Sequence, residues 1–129
     1  MPAKKEIVIS EKAPRALGPY SVAVKAGMFV FTAGQLGINP ESGDLVPGGI
    51  EAETRQSLKN LSIVLEAAGS SLKSVVKVTV FLRDMSDFGV MNVIYGEFFT
   101  EDYPARSAIQ AARLPKDGAV EIEAVALLE

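Results

Sequence analysis

The sequence predicts an α+β fold in which two helices cover one face of a sheet built mainly from hairpins. Six segments alternate with the period of a strand, two follow the period of a helix, and their order is β-β-β-α-β-α-β-β. Most neighbouring strands are joined by tight turns or by one helix, which favours helices collected on one side of the sheet. The chain has 129 residues and no linker, repeat or low-complexity segment, so residues 1–129 are expected to form one domain.

The first three strands are predicted near the start of the chain. EIVIS at 6–10 is a short β-branched run, and 21–35 reads as a hairpin that turns at Ala26 and Gly27. Between them, APRALGPY at 13–20 contains two prolines and a glycine, which is typical of an ordered loop. These patterns predict a strand, a loop and a hairpin in that order.

The first helix is predicted at 50–68. Turn residues fill 37–49 before it, acidic residues open it, and Gly69 follows its end, as the helix dipole and C-cap preferences favour. Its apolar residues recur at helical spacing: Leu58, Leu61, Leu65 and Ala68. Its charged residues are expected to face solvent: Glu51, Glu53, Arg55 and Lys59.

The second half of the chain predicts a long strand, a helix and a hairpin. The strand spans 74–85, and one of its faces is expected to carry Val76, Val78, Val80 and Leu82. Ser86 is the predicted N-cap of a helix that ends near Phe99. A final hairpin is predicted from 106–112 and 120–128, joined by the loop RLPKDG.

Two missing residue types exclude several classes of chemistry. The chain has no cysteine and no histidine, which excludes disulfides, thiol nucleophiles, imidazole acid–base catalysis and metal sites with histidine or cysteine ligands. Any catalysis therefore has to use carboxylates, lysine, arginine, tyrosine, hydroxyls, main-chain groups and water. We expect neither a cofactor nor a metal.

Charge and hydropathy limit the expected partners. The net charge is −3 and the 13 basic residues are scattered, which argues against a nucleic-acid surface. No apolar h-region follows the basic residues near the start, and no segment approaches about 18 consecutive apolar residues, so we expect a cytoplasmic protein without a membrane span. The mean hydropathy of +0.22 is high for a small soluble monomer and indicates apolar surface buried between subunits.

Arg106, at the start of the strand predicted at 106–112, is the first candidate for a binding residue. Its neighbours are small and apolar, and a guanidinium beside a core is costly unless an anion meets it. Pro104 cannot continue the preceding helix, so Arg106 is expected at a strand edge, where its planar fork matches a carboxylate. Two interpretations remain open, a structural ion pair and a receptor for an anionic ligand.

Two further polar positions stand out on predicted apolar faces. Glu121 and Glu123 share one face of 120–128 that is otherwise apolar, although charges that protect an edge strand would give the same pattern. Asn92 falls in the apolar sector of the second helix, where a buried amide needs hydrogen-bond partners. It either satisfies nearby main chain or points into a polar pocket or an interface.

Two loop segments offer further groups for a site. Tyr20 follows a glycine and a proline, and its ring either caps a pocket, with the hydroxyl as donor, or is a half-buried loop aromatic. TAGQ at 32–35 ends a strand with Gly34, which allows main chain to approach a ligand closely and equally fits a bulge. None of these signals is specific alone.

The predicted final hairpin fixes how far apart Arg106 and Glu121 lie. If it turns at Lys116 and Asp117, Arg106 is opposite Leu127. Arg106 and Glu121 then share a face but lie six residues apart along the ladder, about 20 Å at roughly 3.4 Å per residue. One small ligand cannot reach both within one chain, so a joint site requires a second subunit.

Five segments spread along nearly the whole chain match a known pattern in order and spacing. They are APRALGPYS, FTAGQLGINPESGDLV, QSLKNLSIVLEAAGSSLKSVVKVTVFLRDMSDFGVMN, YPARS and ARLPKDGAVEIEAVAL. Together they resemble the reactive intermediate deaminase (Rid, YjgF-like) family, and specifically its RidA branch. The resemblance implies a chorismate-mutase-like α+β subunit that assembles as a homotrimer with ligand clefts between subunits.

The resemblance also implies an activity and the residues that carry it. The implied reaction is hydrolysis of 2-imino acids, such as 2-iminobutanoate and 2-iminopropanoate, to 2-oxo acids and ammonia, with no cofactor. These imines and enamines are products of pyridoxal-phosphate-dependent dehydratases. By resemblance, Arg106 binds the substrate carboxylate and Glu121 handles the water and protons. The remaining implied cleft residues are Tyr20, Ala33, Gly34, Asn92 and Ala108.

The chain departs from the RidA pattern at two of these positions. Many RidA proteins carry a serine where this chain has Ala33 and a cysteine where it has Ala108. A missing hydroxyl affects water positioning or substrate range, and a missing thiol removes any thiol-redox role.

Two other functions compete with deamination. In the first, the cleft holds a carboxylate metabolite at Arg106 without turnover, and the protein acts as a sensor or chaperone. In the second, the protein is a ribonuclease or an inhibitor of translation, functions long attached to parts of this family. The acidic balance, the absent histidine and the lack of a basic stripe argue against it.

Overall fold

A computed structural model describes residues 3–129, in which two helices pack on one face of a mixed sheet. The predicted α+β class is therefore confirmed. The strands are β1 (Lys5–Val8), β2 (Ala23–Ala26), β3 (Phe29–Thr32), β4 (Gln35–Leu36), β5 (Val75–Leu82), β6 (Ala105–Gln110) and β7 (Val120–Leu127). The helices are α1 (Gly49–Ala67) and α2 (Phe88–Phe98). Met1 and Pro2 lie outside the described residues, and the strand predicted at 6–10 lies within them.

The strands are arranged in the order β1-β2-β3-β7-β5-β6, and the short β4 also pairs with β7. All pairs are antiparallel except that of β5 with β6, which is parallel. The hairpin predicted at 21–35 is confirmed as β2 and β3, and Gly27 supplies the positive φ of +60° that its turn requires. The two-residue β4 was not predicted, because two residues are too few to show a period.

The predicted final hairpin is wrong, because β5 lies between β6 and β7. α2 connects β5 to β6 and returns the chain along the sheet, so β6 runs parallel beside β5. β7 then takes the central place between β3 and β5, where alternate residues along its whole length are buried against the helices. β6 has no fully buried residue and occupies the edge, where partly exposed strands are tolerated.

The hydrophobic core lies between the sheet and the two helices. The helix α1 directs Leu58, Leu61 and Leu65 inward, each with 0% exposure, as its spacing predicts. The sheet contributes an alternating set of buried residues, Val78, Val80, Leu82, Val120, Ile122 and Ala124. Truncating any one of the three leucines to alanine is expected to cost about 2–5 kcal/mol.

The start of β5 departs from the predicted alternation. A bulge between Val75 and Lys77 shifts its register against β7. As a result Val75 is buried at 6% exposure, whereas Val76, which was predicted on the inner face, is 39% exposed. The inner face of β5 therefore begins at Val75 and resumes its alternation at Val78.

The cap predicted for the second helix is also wrong. Met85–Asp87 form a 3₁₀ turn, and the carboxylate of Asp84 accepts a hydrogen bond from the Ser86 N–H at 2.9 Å. Asp84 is thus the cap of this turn, and α2 begins only at Phe88. An aspartate two residues before a helix is as good a cap as a serine, and the sequence alone did not distinguish them.

The other face of the sheet, the open face, is not covered by the helices and carries exposed apolar side chains around Phe31. Its residues include Ile7, Phe29, Phe31 and Leu127, which are 51%, 40%, 45% and 37% exposed. Phe31 lies between Val24 of β2 and Val125 of β7, so the apolar side chains are adjacent across several strands. None of α1 or α2, the helices described within 3–129, is long and apolar enough to cross a membrane.

Candidate active site

Four of the predicted site residues line one cavity of about 290 Å³, which we name the Glu121 cavity. They are Tyr20, Ala33, Gly34 and Glu121. The cavity is bounded by the loop before β2, by the segment that joins β3 to β4, and by the first half of β7. The remaining lining residues are Pro14, Arg15, Leu17, Val22, Gln35, Leu36, Ile38 and Pro115.

Glu121 is held on the open face of the sheet, where it is half-buried. It lies opposite Leu36 of β4 and Phe81 of β5, so strands flank it on both sides. Burial raises the pKa of Glu121, and the negative charge of Glu123 on the same face raises it further. A carboxyl group in this state is suited to exchange protons closer to neutral pH than a surface glutamate.

Gly34 provides the space that the Glu121 side chain occupies. A Cβ atom at position 34 would lie 2.7 Å from Cγ and Cδ of Glu121, closer than non-bonded atoms approach. A side chain at position 34 would therefore displace the Glu121 carboxyl group from the place it holds. The bulge that was the alternative interpretation is present as well, because residues 32–34 lie opposite only two residues of β7 between the pairs Phe31–Val125 and Gln35–Ile122.

Tyr20 forms part of the cavity wall through an ordered loop. Its hydroxyl accepts a hydrogen bond from the Leu17 N–H at 3.0 Å, and its own N–H donates to the Gly18 carbonyl at 2.8 Å. The ring stays 47% exposed. The hydroxyl was predicted as a donor, and in this structure it is an acceptor whose own proton is still available.

Arg106 lies outside this cavity and packs on the helix side of the sheet. Its guanidinium carbon is 4.6 Å from the ring centroid of Tyr95 and 5.5 Å from that of Phe88, both on α2. Such distances allow cation–π attraction, which holds the guanidinium against the aromatic faces. Within residues 3–129 no carboxylate lies within 4.0 Å of this half-buried cation. Among residues 3–129 Arg106 therefore forms no structural ion pair, and an ion pair across a subunit interface stays the other interpretation.

The tyrosine beneath Arg106 is buried and stacks on Phe99 with ring centroids 4.6 Å apart. Burial raises the pKa of Tyr95, and the positive charge of Arg106 opposes part of that rise. Its hydroxyl is buried and has no hydrogen-bond partner among the described residues. Tyr95 therefore contributes a ring face rather than a hydrogen bond.

Asn92 and Ala108 accompany Arg106 rather than Glu121. Asn92 is half-buried on α2, four residues after Phe88 and three before Tyr95, so it lies on the same helix face as the two rings. Ala108 follows Arg106 by two residues on β6, so it lies on the same face of the sheet and packs against the core. These three residues form a second group, which we name the Arg106 group.

The predicted shared face of Arg106 and Glu121 is wrong. Arg106 lies in register with Val78 and, through it, with Ala124, and Val78 and Ala124 face the helices. Glu121 is three residues from Ala124 on β7, an odd number, so its side chain points to the opposite face. The error follows from the wrong hairpin, since β5 separates the two strands. The consequence drawn from it still holds, because one chain does not bring the two residues together.

Two residues near the site were not predicted, Arg15 and Glu53. Arg15 lines the Glu121 cavity, and a loop position next to a proline gave no signal for it. Glu53 was expected to face solvent but is 6% exposed, and its Oε1 accepts a hydrogen bond from the Ala119 N–H at 2.9 Å. This bond holds the loop that leads into β7 directly before Glu121. The close contact of Gly37 with Glu53, where a Cβ would lie 2.6 Å from the Glu53 Cα, shows how tightly this segment packs.

The described part of the chain, residues 3–129, contains no group of three or more aspartate, glutamate, histidine or cysteine side chains that could hold a metal ion. The side chains available in the Glu121 cavity are one carboxyl group, one tyrosine, the Arg15 guanidinium and the Gln35 amide, together with main-chain atoms. An arginine and an amide belong to the Arg106 group. This set can bind a small carboxylate and transfer protons.

Comparison with known proteins places the chain in a family. Residues 10–128 match the family model described as Endoribonuclease L-PSP. A RutC family protein of Pyrococcus horikoshii is 54% identical over 125 residues, which are 97% of this chain and 99% of that protein. The chain therefore belongs to the Endoribonuclease L-PSP family, and the predicted resemblance to reactive intermediate deaminases is confirmed by the relatives that follow.

The named relatives include deaminases over nearly the whole chain. The 2-iminobutanoate/2-iminopropanoate deaminase of Mus musculus is 49% identical over 123 residues, 95% of this chain and 91% of that protein. RidA from an Antarctic Psychrobacter is 46% identical, and the match covers 95% of this chain and 99% of the RidA chain. The two structures superpose with a TM-score of 0.92. TdcF of E. coli, solved with bound serine, is 41% identical over 96% of this chain and 99% of its own, with a TM-score of 0.91.

Proposed function

We propose that this protein hydrolyses 2-imino acids, with 2-iminobutanoate and 2-iminopropanoate as the expected substrates, to 2-oxo acids and ammonia. The observation that carries the proposal is the half-buried Arg106 guanidinium, which is fixed on two aromatic rings and meets no carboxylate in its own chain. A fixed arginine without an anion is suited to a substrate carboxylate. The mammalian relatives that are 46–49% identical bear the name of this activity.

The proposed mechanism uses the two groups of residues in different roles. Arg106 binds the substrate carboxylate through both sides of its fork and fixes the plane of the imine. Glu121 accepts a proton from water as the water oxygen adds to the imine carbon, and it passes that proton to the imine nitrogen to give a carbinolamine. Glu121 then takes the hydroxyl proton of the carbinolamine and delivers it to the amino nitrogen, so that ammonia leaves as the C–N bond breaks and the C=O bond forms. No electron is gained or lost, so neither a redox partner nor a cofactor is needed.

The magnitude of the catalysis required is modest. Imines are electrophilic and hydrolyse in water unaided. A positioned acid–base group contributes about 10²- to 10⁴-fold, which matches a site with one glutamate and no metal. The raised pKa of Glu121 brings this carboxyl group closer to the pH at which it can both accept and return a proton.

We propose that the complete site forms between subunits of a homotrimer. Arg106 and Glu121 lie on opposite faces of the sheet in one chain, so the Arg106 group of one subunit has to meet the Glu121 cavity of another. The exposed apolar residues of the open face, such as Phe31 at 45%, support burial of that face on assembly. A chorismate-mutase-like trimer and a cytoplasmic location remain part of this proposal.

Ala33 and Ala108 set this chain apart from many RidA proteins within the proposed site. Ala33 lines the Glu121 cavity, and its N–H is occupied because it donates to the Val22 carbonyl at 2.8 Å. No side-chain hydroxyl is supplied there to hold the attacking water. We therefore expect Glu121 to position that water without help from residue 33.

A non-catalytic carboxylate-binding module is the alternative function. The same Arg106 group would hold a 2-oxo or amino acid without turnover, in keeping with the bound serine in the TdcF relative. The name Endoribonuclease L-PSP attaches to the family as a whole. For this chain the absent histidine and the net charge of −3 continue to predict that it does not bind nucleic acid.

The proposal is tested by assaying imine hydrolysis with a threonine dehydratase as the source of the imine. We expect this protein to accelerate 2-oxo acid formation and Arg106→Ala to lower kcat/KM by about a hundredfold or more, since a buried charge pair is lost. Arg106→Lys is expected to recover little, because a point charge does not reproduce the bidentate fork.

Arg113→Ala is the matched control for this test. Arg113 is exposed and takes part in no described ion pair, so its loss removes the same charge outside the site. If the wild-type protein binds 2-oxobutanoate but does not accelerate imine hydrolysis, the result supports the non-catalytic alternative instead.

A further inference from the structure

Arg15 supplies a positive charge to the wall of the Glu121 cavity. Of the residues that line this cavity, Arg15 and Glu121 are the charged ones, and the others are apolar or neutral. Arg106 belongs to the opposite face of the same chain. A trimeric site of the proposed kind would therefore present two arginines to one ligand, Arg15 beside Glu121 and Arg106 from the neighbouring subunit.

The main chain around Arg15 is fixed, while its guanidinium is available. Ala13 is 4% exposed, and Pro14 after it is also buried, which anchors the loop on one side. On the other side the Leu17 N–H donates to the Tyr20 hydroxyl at 3.0 Å. Among residues 3–129 no carboxylate lies within 4.0 Å of the Arg15 guanidinium, and Glu121 in the same cavity is no exception.

The cavity has room for more than the smallest imino acids. Its volume of about 290 Å³ is close to the lower limit of roughly 300 Å³ at which pockets bury drug-sized ligands. An imine with a one- or two-carbon side chain is much smaller than such a ligand. The apolar residues Leu17, Val22 and Ile38 also line the cavity and suit a methylene chain rather than a second reacting group.

We propose that Arg15 makes the site accept 2-imino dicarboxylic acids, whose side-chain carboxylate it binds while Arg106 binds the α-carboxylate. This inference rests on the proposed function, since it places the reacting imine at Glu121. Arginine and carboxylate form strong, charge-assisted hydrogen bonds, and the apolar residues that line the Glu121 cavity match the hydrocarbon part of such a substrate. The imine of glutamate, 2-iminoglutarate, is the matching chemical class.

The test compares two imines made in the same way. Amino-acid oxidases generate 2-iminoglutarate from glutamate and 2-iminobutanoate from 2-aminobutanoate, and hydrolysis competes with trapping of the imine by semicarbazide. We expect Arg15→Ala to lower the ratio of kcat/KM for 2-iminoglutarate over 2-iminobutanoate by about tenfold, the effect of one charge-assisted bond. Arg15→Lys is expected to keep part of the ratio. Lys12→Ala removes an exposed cation from the same loop outside the cavity and is expected to leave the ratio unchanged.

The outcomes separate this inference from the proposed function. A ratio that Arg15→Ala leaves unchanged overturns the role of Arg15 while the deaminase activity stands. An equal loss for both imines also overturns it, because Arg15 would then bind the α-carboxylate or attract anions in general. If the wild type accelerates neither imine, the proposed function fails, and calorimetry with 2-oxoglutarate and 2-oxobutanoate decides the inference. A lower ratio of the two affinities in Arg15→Ala supports it, and an unchanged ratio overturns it.

Discussion

At the scale of single residues, the properties of Glu121 follow from its neighbours. A glycine at position 34 leaves the space that its carboxyl group fills, and the strands on both sides keep it half-buried. Burial raises its pKa, and Glu123, which shares its face two residues later, raises the pKa further. The charge of Glu123 can be removed by substitution while Glu121 stays buried. The effect of that charge on the pKa of Glu121 can therefore be measured separately from the effect of burial.

We expect Glu123→Gln to shift the acidic limb of the pH–rate profile to lower pH. Glu121 has to be ionised to accept a proton from water, so activity falls as the pH drops through its pKa. Removing the charge of Glu123 lowers that pKa while burial still holds it above the usual value. The measurement is kcat/KM for 2-iminobutanoate between acidic and neutral pH.

Glu66→Gln is the control for this profile. Glu66 is an exposed residue of α1, so its loss changes the net charge equally without altering the field at Glu121. An acidic limb that moves as far in this control as in Glu123→Gln would contradict a local effect of Glu123.

At the scale of elements, the sequence predicts periods well and strand partners poorly. The helical period of α1 and the alternation of β7 are local properties of their own residues, and both are found as predicted. The pairing of β6 depends on where α2 places it, which is a contact between distant segments. The bulge at Val75 is likewise set by the partner strand.

In the candidate site, too, some residues could be predicted from the local sequence and others could not. Tyr20 and Gly34 could be predicted from the sequence because an aromatic residue or a glycine in an ordered loop usually serves one of a few structural or binding roles. Arg15 and Glu53 could not, because an arginine in a loop and a glutamate on a helix usually face solvent. Their positions depend on which loops fold over them, and no local pattern records that.

The α2 face that carries Phe88 and Tyr95 is expected to position Arg106. We predict that Tyr95→Leu lowers kcat/KM by about three- to thirtyfold, the range of a cation–π contact between exposed and desolvated settings. The Tyr95→Phe variant is expected to keep the wild-type kcat/KM, since the ring remains and the lost hydroxyl has no hydrogen-bond partner among the described residues. Binding of 2-oxobutanoate, measured by calorimetry, is expected to follow the same order.

The conservative variant distinguishes positioning from simple packing. Tyr95 also stacks on Phe99, so Tyr95→Leu destabilises the fold as well. If thermal stability falls in Tyr95→Leu but kcat/KM below the unfolding transition does not, the ring serves the core only and Arg106 does not depend on it.

At the scale of the whole molecule, the sheet separates the two halves of the proposed site. The Arg106 group lies on the helix side of the sheet and the Glu121 cavity on the other, so we expect neither group to turn over a substrate without the other. The open apolar face that surrounds Phe31 gives a physical reason for subunits to associate. Assembly and catalysis are thus expected to depend on each other.

We therefore predict that two inactive variants restore each other's activity when their subunits are mixed. Arg106→Ala and Glu121→Gln are each expected to be inactive as pure trimers. In a random equimolar mixture, about a quarter of the intersubunit sites combine an intact arginine from one subunit with an intact glutamate from another, because each site draws both residues independently. About a quarter of the wild-type activity is therefore expected after joint refolding, with the mixed trimers confirmed by native mass spectrometry. Mixed trimers without recovered activity would show that each site uses residues of one chain, and a stable monomer in sedimentation equilibrium at micromolar concentration would exclude the trimer itself.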